Sequence, residues 1–287
     1  MITVRRPELP FPTRIDPLVI EGKPELSYLL VAVSLSLPYL EPHLIRTMSE
    51  AKRHIEDPAL LEQIRLLNVQ EGQHVRLHTR FNKAVNQDFP ELVALEQELA
   101  ADCRRFIATR SLKWRLAYVE SLEAFTVAFS QFLFTDQVLR DVQPASVRDL
   151  FEWHSAEELE HRSVAFDVYE HMFGDYAFRA AVSLYAQWHF LRFVVRATLL
   201  MLAHDRAQGR DHGRPSQVRK RVLALVGQFA RGMGPGVLAS RSPRYRPHTI
   251  STSPSAEAIL ERMGARAPRA AASSASTRAA APISTAS

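Results

Sequence analysis

The chain has 287 residues, 46% of them hydrophobic, which is ample for a large buried core. Its only cysteine, Cys103, excludes an intramolecular disulfide and a thiolate metal cluster, so we expect a cytoplasmic location and oxygen or nitrogen ligands for any metal. The net charge is +5, but 14 basic and 3 acidic residues lie from Arg206 onward. Because the basic charge is confined to the C-terminal third, we expect no nucleic-acid partner for the rest.

The N-terminal half begins with a proline-rich segment, residues 1–24, which we expect to be extended and to contain no signal peptide. An apolar stretch from Glu25 to about Ile55 predicts the first helix, with Pro38 and Pro42 inside it. Proline removes a backbone hydrogen bond and bends a helix, so a break at Pro38 is the alternative.

Three further helices complete a predicted bundle over residues 25–174. The second runs from Asp57-Pro58 to about Val85, the third spans about 111–140, and the fourth runs from Pro144 to Gly174. Residues 86–110 form a long polar connection with its own helical piece. Short links within two hairpins and one long crossover between them are typical of an all-α, ferritin-like four-helix bundle.

The C-terminal part contains a very apolar fifth helix, Tyr176 to Asp205, and a short basic helix over 216–231. We expect residues 175–235 to pack on the bundle, since Arg192 and Arg196 make a transmembrane span unfavourable. Contact of residues 176–205 with a membrane surface is the alternative. Residues 236–287 are predicted to be a basic, mostly disordered tail, and truncation after Gly234 to leave metal binding intact.

Acidic residues and histidines recur at helical spacing in each of the four bundle helices. Residues three apart lie about 60° apart on one helix face, so a Glu-x-x-His pair can offer an oxygen and a nitrogen to one metal. One Glu from each of two helices and a Glu-x-x-His from the other two would hold a pair of metal ions. The predicted ligands are Glu41, Glu71, His74, Glu123, His154, Glu158 and His161.

Several assignments around this set stay open. Glu120, one turn from Glu123, is the alternative ligand of the third helix, and His78 is a weaker candidate on the second. Glu157 and Gln70 each precede a ligand, from where they could accept the free N–H of a histidine on the facing helix. The oxygen-rich ligand set favours iron, then manganese, over zinc.

The residues from Trp153 to Tyr169 closely resemble the bacterial family of predicted metal-dependent hydrolases in the ferritin-like superfamily. Similar motifs are Gln70-Glu71-Gly72-Gln73-His74 and Leu37-Pro38-Tyr39-Leu40-Glu41, so the resemblance covers about residues 25–200. The chain has Ala124 where the family typically has a histidine. The helix-four pattern is also similar to that of di-iron arylamine N-oxygenases, which implies that His154 binds a metal directly.

Three functions follow as hypotheses. We expect first an oxidase or oxygenase that activates O2 to oxidise a small apolar or aromatic substrate, because a buried carboxylate-rich site suits O2 better than a bulky hydrolysable substrate. The alternative is a hydrolase that uses a metal-activated water. The third is non-catalytic iron handling. The identity of the substrate and the formation of a homodimer stay open.

Overall fold

The computed structural model describes residues 2–210 and 212–265, and within them the regular elements are helices with no strand. This confirms the all-α fold class. The helices are α1 (Pro24–Ala51), α2 (Pro58–Val85), α3 (Glu91–Thr109), α4 (Leu112–Thr135), α5 (Ala145–His161), α6 (Val164–Met172), α7 (Tyr176–Ala207), α8 (Pro215–Gly232), α9 (Gly234–Ser240) and α10 (Pro254–Ala265).

The starts of the long helices are set by local side-chain caps. Asp57 accepts hydrogen bonds from the backbone N–H groups of Ala59 and Leu60, and Pro58 occupies the first helical position of α2. Ser111 caps α4 and Asp175 caps α7 in the same way. Each cap satisfies N–H groups that have no partner within the helix.

Helix α1 continues through both of its prolines, so the alternative of a break at Pro38 is wrong. Pro38 has no N–H to donate to the carbonyl of Ser34, four residues earlier. The side chain of Asn82 on α2 donates to that carbonyl instead, at 2.9 Å. The packing of α2 on α1 therefore replaces the missing backbone hydrogen bond. In an isolated α1 the carbonyl of Ser34 would have no such donor.

Helices α1, α2, α4 and α5 pack around a common interior, and α7 covers α1 and α4. The helical piece expected in the crossover is α3, which packs on α1 and α7. The predicted fourth helix is divided, since α5 ends at His161 and α6 begins at Val164. This arrangement is compatible with a ferritin-like bundle, which stays a prediction.

Four helices of the described chain bear on the expectation that no segment spans a membrane. The stretch Pro24–His54 has the length and mean hydropathy (1.3) of a span, but 67% of its apolar window is buried inside the protein, as in a core helix. Helices α8 and α9 reach the same apolarity only as a pair bent by 47°. Helix α7 exposes apolar side chains, and contact of this helix with a membrane surface stays a prediction. These side chains are Leu184, Trp188, Leu191, Val195 and Leu199.

The expectation of a mostly disordered tail over residues 236–287 is wrong for its first part. Helix α9 packs on α4, and α10 packs on α5 with Ala256, Ile259, Leu260 and Met263 buried. These few apolar residues lie at helical spacing and join the hydrophobic core. The alanine- and arginine-rich composition around them obscured this pattern in the sequence. Residues 266–287 lie outside the described part of the chain.

Removing α10 should destabilise the protein, whereas the expectation that truncation after Gly234 leaves metal binding intact stays a prediction. We expect a chain that ends at Ser253 to lose about 3 kcal/mol or more of unfolding free energy relative to one that ends at Ala265, because three large apolar side chains lose their burial. Urea unfolding of the two chains measures the difference. Equal unfolding midpoints and equal slopes for the two chains would show that α10 contributes nothing to the free energy of unfolding.

Candidate metal centre

Seven side chains from four helices converge in the interior of the bundle. They are the residues expected from the sequence, and each of them is buried. Three sets of these side chains hold ligand atoms within 4.8 Å of one another, as a bound metal ion would require. The sets are Glu41, His74 and His154; Glu71, Glu123 and His161; and Glu71, His74 and Glu158.

Two carboxylates, Glu71 and Glu158, lie between the histidines. Oε1 of Glu158 is 3.1 Å from Nε2 of His154, 3.4 Å from Nε2 of His161 and 3.7 Å from Nδ1 of His74. The two oxygens of Glu71 diverge, with Oε2 3.6 Å from His74 and Oε1 3.4 Å from His161. Both carboxylates therefore lie close to more than one histidine of the cluster.

The orientation of His74 and His161 is set by a reciprocal pair of hydrogen bonds between α2 and α5. Nε2 of His74 lies 3.1 Å from Oε2 of Glu157, and Nδ1 of His161 lies 3.2 Å from Oε1 of Gln70. The hypothesis that Glu157 and Gln70 accept from histidines on the facing helix is thereby confirmed. With these outer nitrogens as donors, Nδ1 of His74 and Nε2 of His161 face the interior, where they would offer lone pairs to a metal ion that displaces their protons.

His154 is oriented by a longer chain of hydrogen bonds that begins at Pro38. The side-chain amide of Asn82 donates to the carbonyl of Ser34 through its nitrogen. The amide oxygen, Oδ1, therefore accepts from the Ser34 hydroxyl at 2.6 Å. The only hydroxyl proton of Ser34 is thus used, so the Ser34 oxygen accepts from Nδ1 of His78 at 2.7 Å. Nε2 of His78 then accepts from Nδ1 of His154 at 2.9 Å. Because Nδ1 of His154 carries the proton in this chain, its Nε2 carries the lone pair, and Nε2 faces Glu158.

The structure separates the alternatives that the sequence left open. Glu120 is buried away from the cluster, where Arg179 donates to it at 2.8 Å, so Glu123 is the residue that α4 contributes. His78 is outside the three ligand sets and lies behind His154. Its role is therefore to hold His154, in place of the weaker ligand role considered for it.

The electrostatics of the cluster reflect four carboxylates confined in a small volume. Burial and the neighbouring carboxylate of Glu71 raise the pKa of Glu41 well above its usual range, and burial with the charge of Glu158 raises the pKa of Glu123 to about 8. Burial opposes charge on His161 and His74, but their carboxylate partners raise both pKa values well above the usual range. Without metal, the cluster therefore holds protons at neutral pH.

Metal affinity should consequently rise with pH. A metal ion must displace the protons that Glu41, Glu123, His74 and His161 hold, and each displaced proton increases affinity about tenfold per pH unit while the ligand is still protonated. We expect Mn²⁺ to bind more tightly at pH 8 than at pH 6, with proton release. Calorimetry in two buffers of different ionisation enthalpy measures both quantities. An affinity that does not vary with pH would contradict the protonated cluster.

A narrow cavity of about 30 Å³ reaches the cluster from the surface, where Leu122 and Thr126 are partly exposed. It is bordered by Glu41, Glu71, Glu123, His154 and Glu158 on one side. The volume is close to that of one water molecule. The Thr126 hydroxyl is hydrogen-bonded to Oε2 of Glu158 at 2.5 Å, so this side chain links the mouth of the cavity to the cluster.

The hydrogen bonding of the cluster is incomplete in a way that a bound metal would satisfy. Several buried ligand atoms make no hydrogen bond with any described residue, and leaving such atoms unsatisfied is costly. A pair of divalent ions would satisfy them and balance the four carboxylate charges. The atoms are Oε1 and Oε2 of Glu41, Oε1 of Glu71, Nδ1 of His74, Oε2 of Glu123 and Nε2 of His161.

Comparison with known proteins assigns the chain to a family. Residues 3–251 match the family described as "Predicted metal-dependent hydrolase", so the protein belongs to that family and is metal-dependent. No curated protein and no solved structure matches the chain.

The expectation of an O2-activating oxidase or oxygenase is therefore wrong, and the hydrolase alternative is the better reading. That expectation rested on the argument that a buried site would not admit a hydrolysable substrate. The family assignment overturns that argument, and the cavity beside Leu122 and Thr126 gives water a path to the cluster.

Proposed function

We propose that the protein hydrolyses a small neutral ester or amide at a pair of metal ions held by the seven buried side chains. The observation that carries this proposal is the set of unsatisfied ligand atoms grouped beside a cavity that opens to the surface, in a chain of the metal-dependent hydrolase family. Glu41, His74 and His154 would hold one ion, and Glu123 and His161 the other. Glu71 and Glu158, which lie between the histidines, would be shared.

The metal ions are proposed to be iron or manganese rather than zinc. Four carboxylates and three imidazoles form an oxygen-rich set, whereas zinc sites commonly use four ligands with more nitrogen or sulfur. Bound ions would polarise the carbonyl of the substrate and lower the pKa of a water molecule.

The protein side chains contribute positioning and proton handling. Both oxygens of Glu41 border the cavity without a hydrogen bond, so they can accept from a water molecule there and hold its proton. Glu157 and Gln70 keep the imidazoles of His74 and His161 turned inward. Leu40 and Leu44 line the cavity and exclude bulk water, which strengthens every electrostatic interaction inside it.

Metal exchange tests this function. The protein is stripped with a chelator, reloaded separately with Mn²⁺, Fe²⁺ and Zn²⁺ without oxygen, and assayed with 4-nitrophenyl esters, anilides and 4-nitrophenyl phosphate. We expect ester or amide cleavage that is lost on stripping and restored best by Mn²⁺ or Fe²⁺. Failure of every metal form to cleave any of these substrates would refute hydrolysis, and restoration by Zn²⁺ alone would refute the metal assignment.

A further inference from the structure

Helix α7 presents a row of apolar side chains to the outside of the bundle. Five large side chains in this row are between 45% and 59% exposed, at spacings of three or four residues that keep them on one helix face. The only carboxylate of α7, Asp205, is buried. A contiguous apolar row on a surface indicates contact with a partner or a membrane. The five residues are Leu184, Trp188, Leu191, Val195 and Leu199.

Helix α8 exposes apolar and basic side chains at neighbouring positions. Its side chains Val222, Leu223 and Val226 are 39%, 60% and 59% exposed. Arg219 lies three residues before Val222 and seven before Val226, so it shares their helix face. The outward side of α8 is therefore both apolar and positively charged. Its exposed basic residues are Arg219, Lys220 and Arg231.

The carboxylates near α8 lie on the side of the helix that faces the bundle. A cavity between α8 and the bundle is lined by Glu25, Asp136 and Asp141. Arg221 of α8 reaches into this cavity and donates to Glu25 at 2.8 Å. Residues 212–256, which include α8 and α9, contain no acidic residue. Positive charge is therefore concentrated on the outward side of α8.

The segment formed by α8 and α9 lies next to α7 at both of its ends. Val218 in α8 lines one cavity together with Leu202 and Arg206 of α7. After α9, Arg241 donates a hydrogen bond to the side chain of Gln187 on α7. The apolar row of α7 and the basic side of α8 are therefore neighbours on the protein surface.

The distribution of charge distinguishes the partners that could cover this surface. A second copy bound through a two-fold axis at α8 would place Arg219 and Lys220 against the same cations of the other chain, which is unfavourable. A nucleic acid offers phosphates to these cations but no apolar surface to the row on α7. A membrane with anionic lipids offers both, since phosphates lie above the acyl chains at its surface.

We infer that the protein binds the surface of membranes that contain anionic lipids, through the exposed sides of α7 and α8. Trp188, Leu191 and Leu223 enter the boundary between headgroups and acyl chains, and Arg219 and Lys220 contact lipid phosphates. Both helices lie on the membrane rather than span it, because their other sides pack on α1 and α4. This binding does not depend on the reaction at the metal ions.

Cosedimentation of the full chain with lipid vesicles tests the inference. Vesicles of phosphatidylcholine alone are compared with vesicles that contain one third phosphatidylglycerol. We expect binding to the anionic vesicles to be at least about tenfold tighter and to weaken in 0.5 M NaCl, because salt screens the attraction. The fluorescence of Trp188 should shift to shorter wavelength on binding, and Trp188→Phe should remove this shift. Equal binding to both kinds of vesicle, or binding to neither, would overturn the inference.

A matched pair of double variants tests the role of the cations on α8. Arg219→Gln/Lys220→Gln should weaken binding to the anionic vesicles about 25-fold, at about fivefold for each basic side chain near the lipid surface. The control, Lys52→Gln/Arg53→Gln, removes the same charge from two adjacent exposed positions after α1. All four side chains are exposed, so both variants should fold, which circular dichroism checks. Equal loss of binding in the two variants would overturn the assignment of the surface to α8.

The apolar contact and the other partners are tested with the same protein. Trp188→Ser/Leu223→Ser should weaken binding to the anionic vesicles at least about tenfold, because two exposed apolar side chains no longer leave water on binding. Unchanged binding by this variant would overturn the apolar contact. Tighter binding to a DNA duplex than to the vesicles would assign the surface to nucleic acid. A dimer that this variant dissociates, without vesicle binding by the unmodified chain, would assign it to a second copy. Either result would overturn the membrane inference.

Discussion

Replacement of Glu71 by Gln should abolish activity and reduce metal content by half or more. Glu71 belongs to two of the three sets of grouped ligand atoms, and its two oxygens face different histidines. An amide keeps the shape of the side chain but loses the negative charge and one acceptor oxygen. Metal analysis after dialysis, together with the ester assay, measures both losses. Glu62→Gln on the same helix is the control, because Glu62 is exposed and pairs only with Arg65 among its described contacts.

The same substitution should also destabilise the metal-free protein. The carboxylate of Glu71 lies 3.6 Å from Nδ1 of His74 and helps to raise the pKa of that imidazole. Because the metal-free cluster holds protons on both Glu41 and His74, the substitution removes a favourable partner of His74 and little repulsion. We expect the metal-free variant to be less stable than the metal-free wild type, by on the order of 1 kcal/mol. Metal at a hundred times its dissociation constant should stabilise the wild type by about 2.7 kcal/mol and the variant much less. A metal-free variant that is more stable than the metal-free wild type would show that repulsion between carboxylates dominates the cluster.

The site could be anticipated from sequence because helical spacing determines which side chains share a face. Glu71 with His74, and Glu158 with His161, are three residues apart, and their placement in long amphipathic helices predicted that they would meet. The acceptors Glu157 and Gln70 followed from the same geometry. By contrast, the choice between Glu120 and Glu123 depends on Arg179, which lies on α7 and is distant in sequence.

Other features depend on contacts that no local pattern encodes. Asn82 and Ser34 orient His154 through His78, and the only signal in the sequence was Pro38, which leaves the carbonyl of Ser34 without its helical donor. The burial of α10 depends on its contacts with α5, so composition alone suggested disorder there. The type of reaction was misjudged because it was argued from the burial of the site, whereas the family assignment rests on residues 3–251.

Arg5 is a further residue that no sequence pattern singled out, since it lies in the extended N-terminal segment. Its guanidinium is buried between α5 and α10, where it donates to Oε1 of Glu157 at 3.3 Å, to Oε2 of Glu160 at 2.9 Å and to the carbonyl of Leu260 at 3.1 Å. Glu157 in turn holds His74, and Glu160 accepts from Gln70 at 2.7 Å. Arg5 thus supports both acceptors that orient the histidines of the cluster.

Replacement of Arg5 by Met should therefore be strongly destabilising. The substitution leaves the buried carboxylate of Glu157 and the partly buried carboxylate of Glu160 without their cation, which typically costs about 3–5 kcal/mol, and loss of the support for His74 should weaken metal binding about 10- to 100-fold. Urea unfolding and metal titration measure the two effects, with the exposed neighbour in Arg6→Met as the control. The double variant Arg5→Met/Glu157→Gln should recover part of the lost stability, because it removes one of the unpaired charges. If Arg5→Met unfolds at the same urea concentration as Arg6→Met, the buried ion pairs of Arg5 do not stabilise the fold.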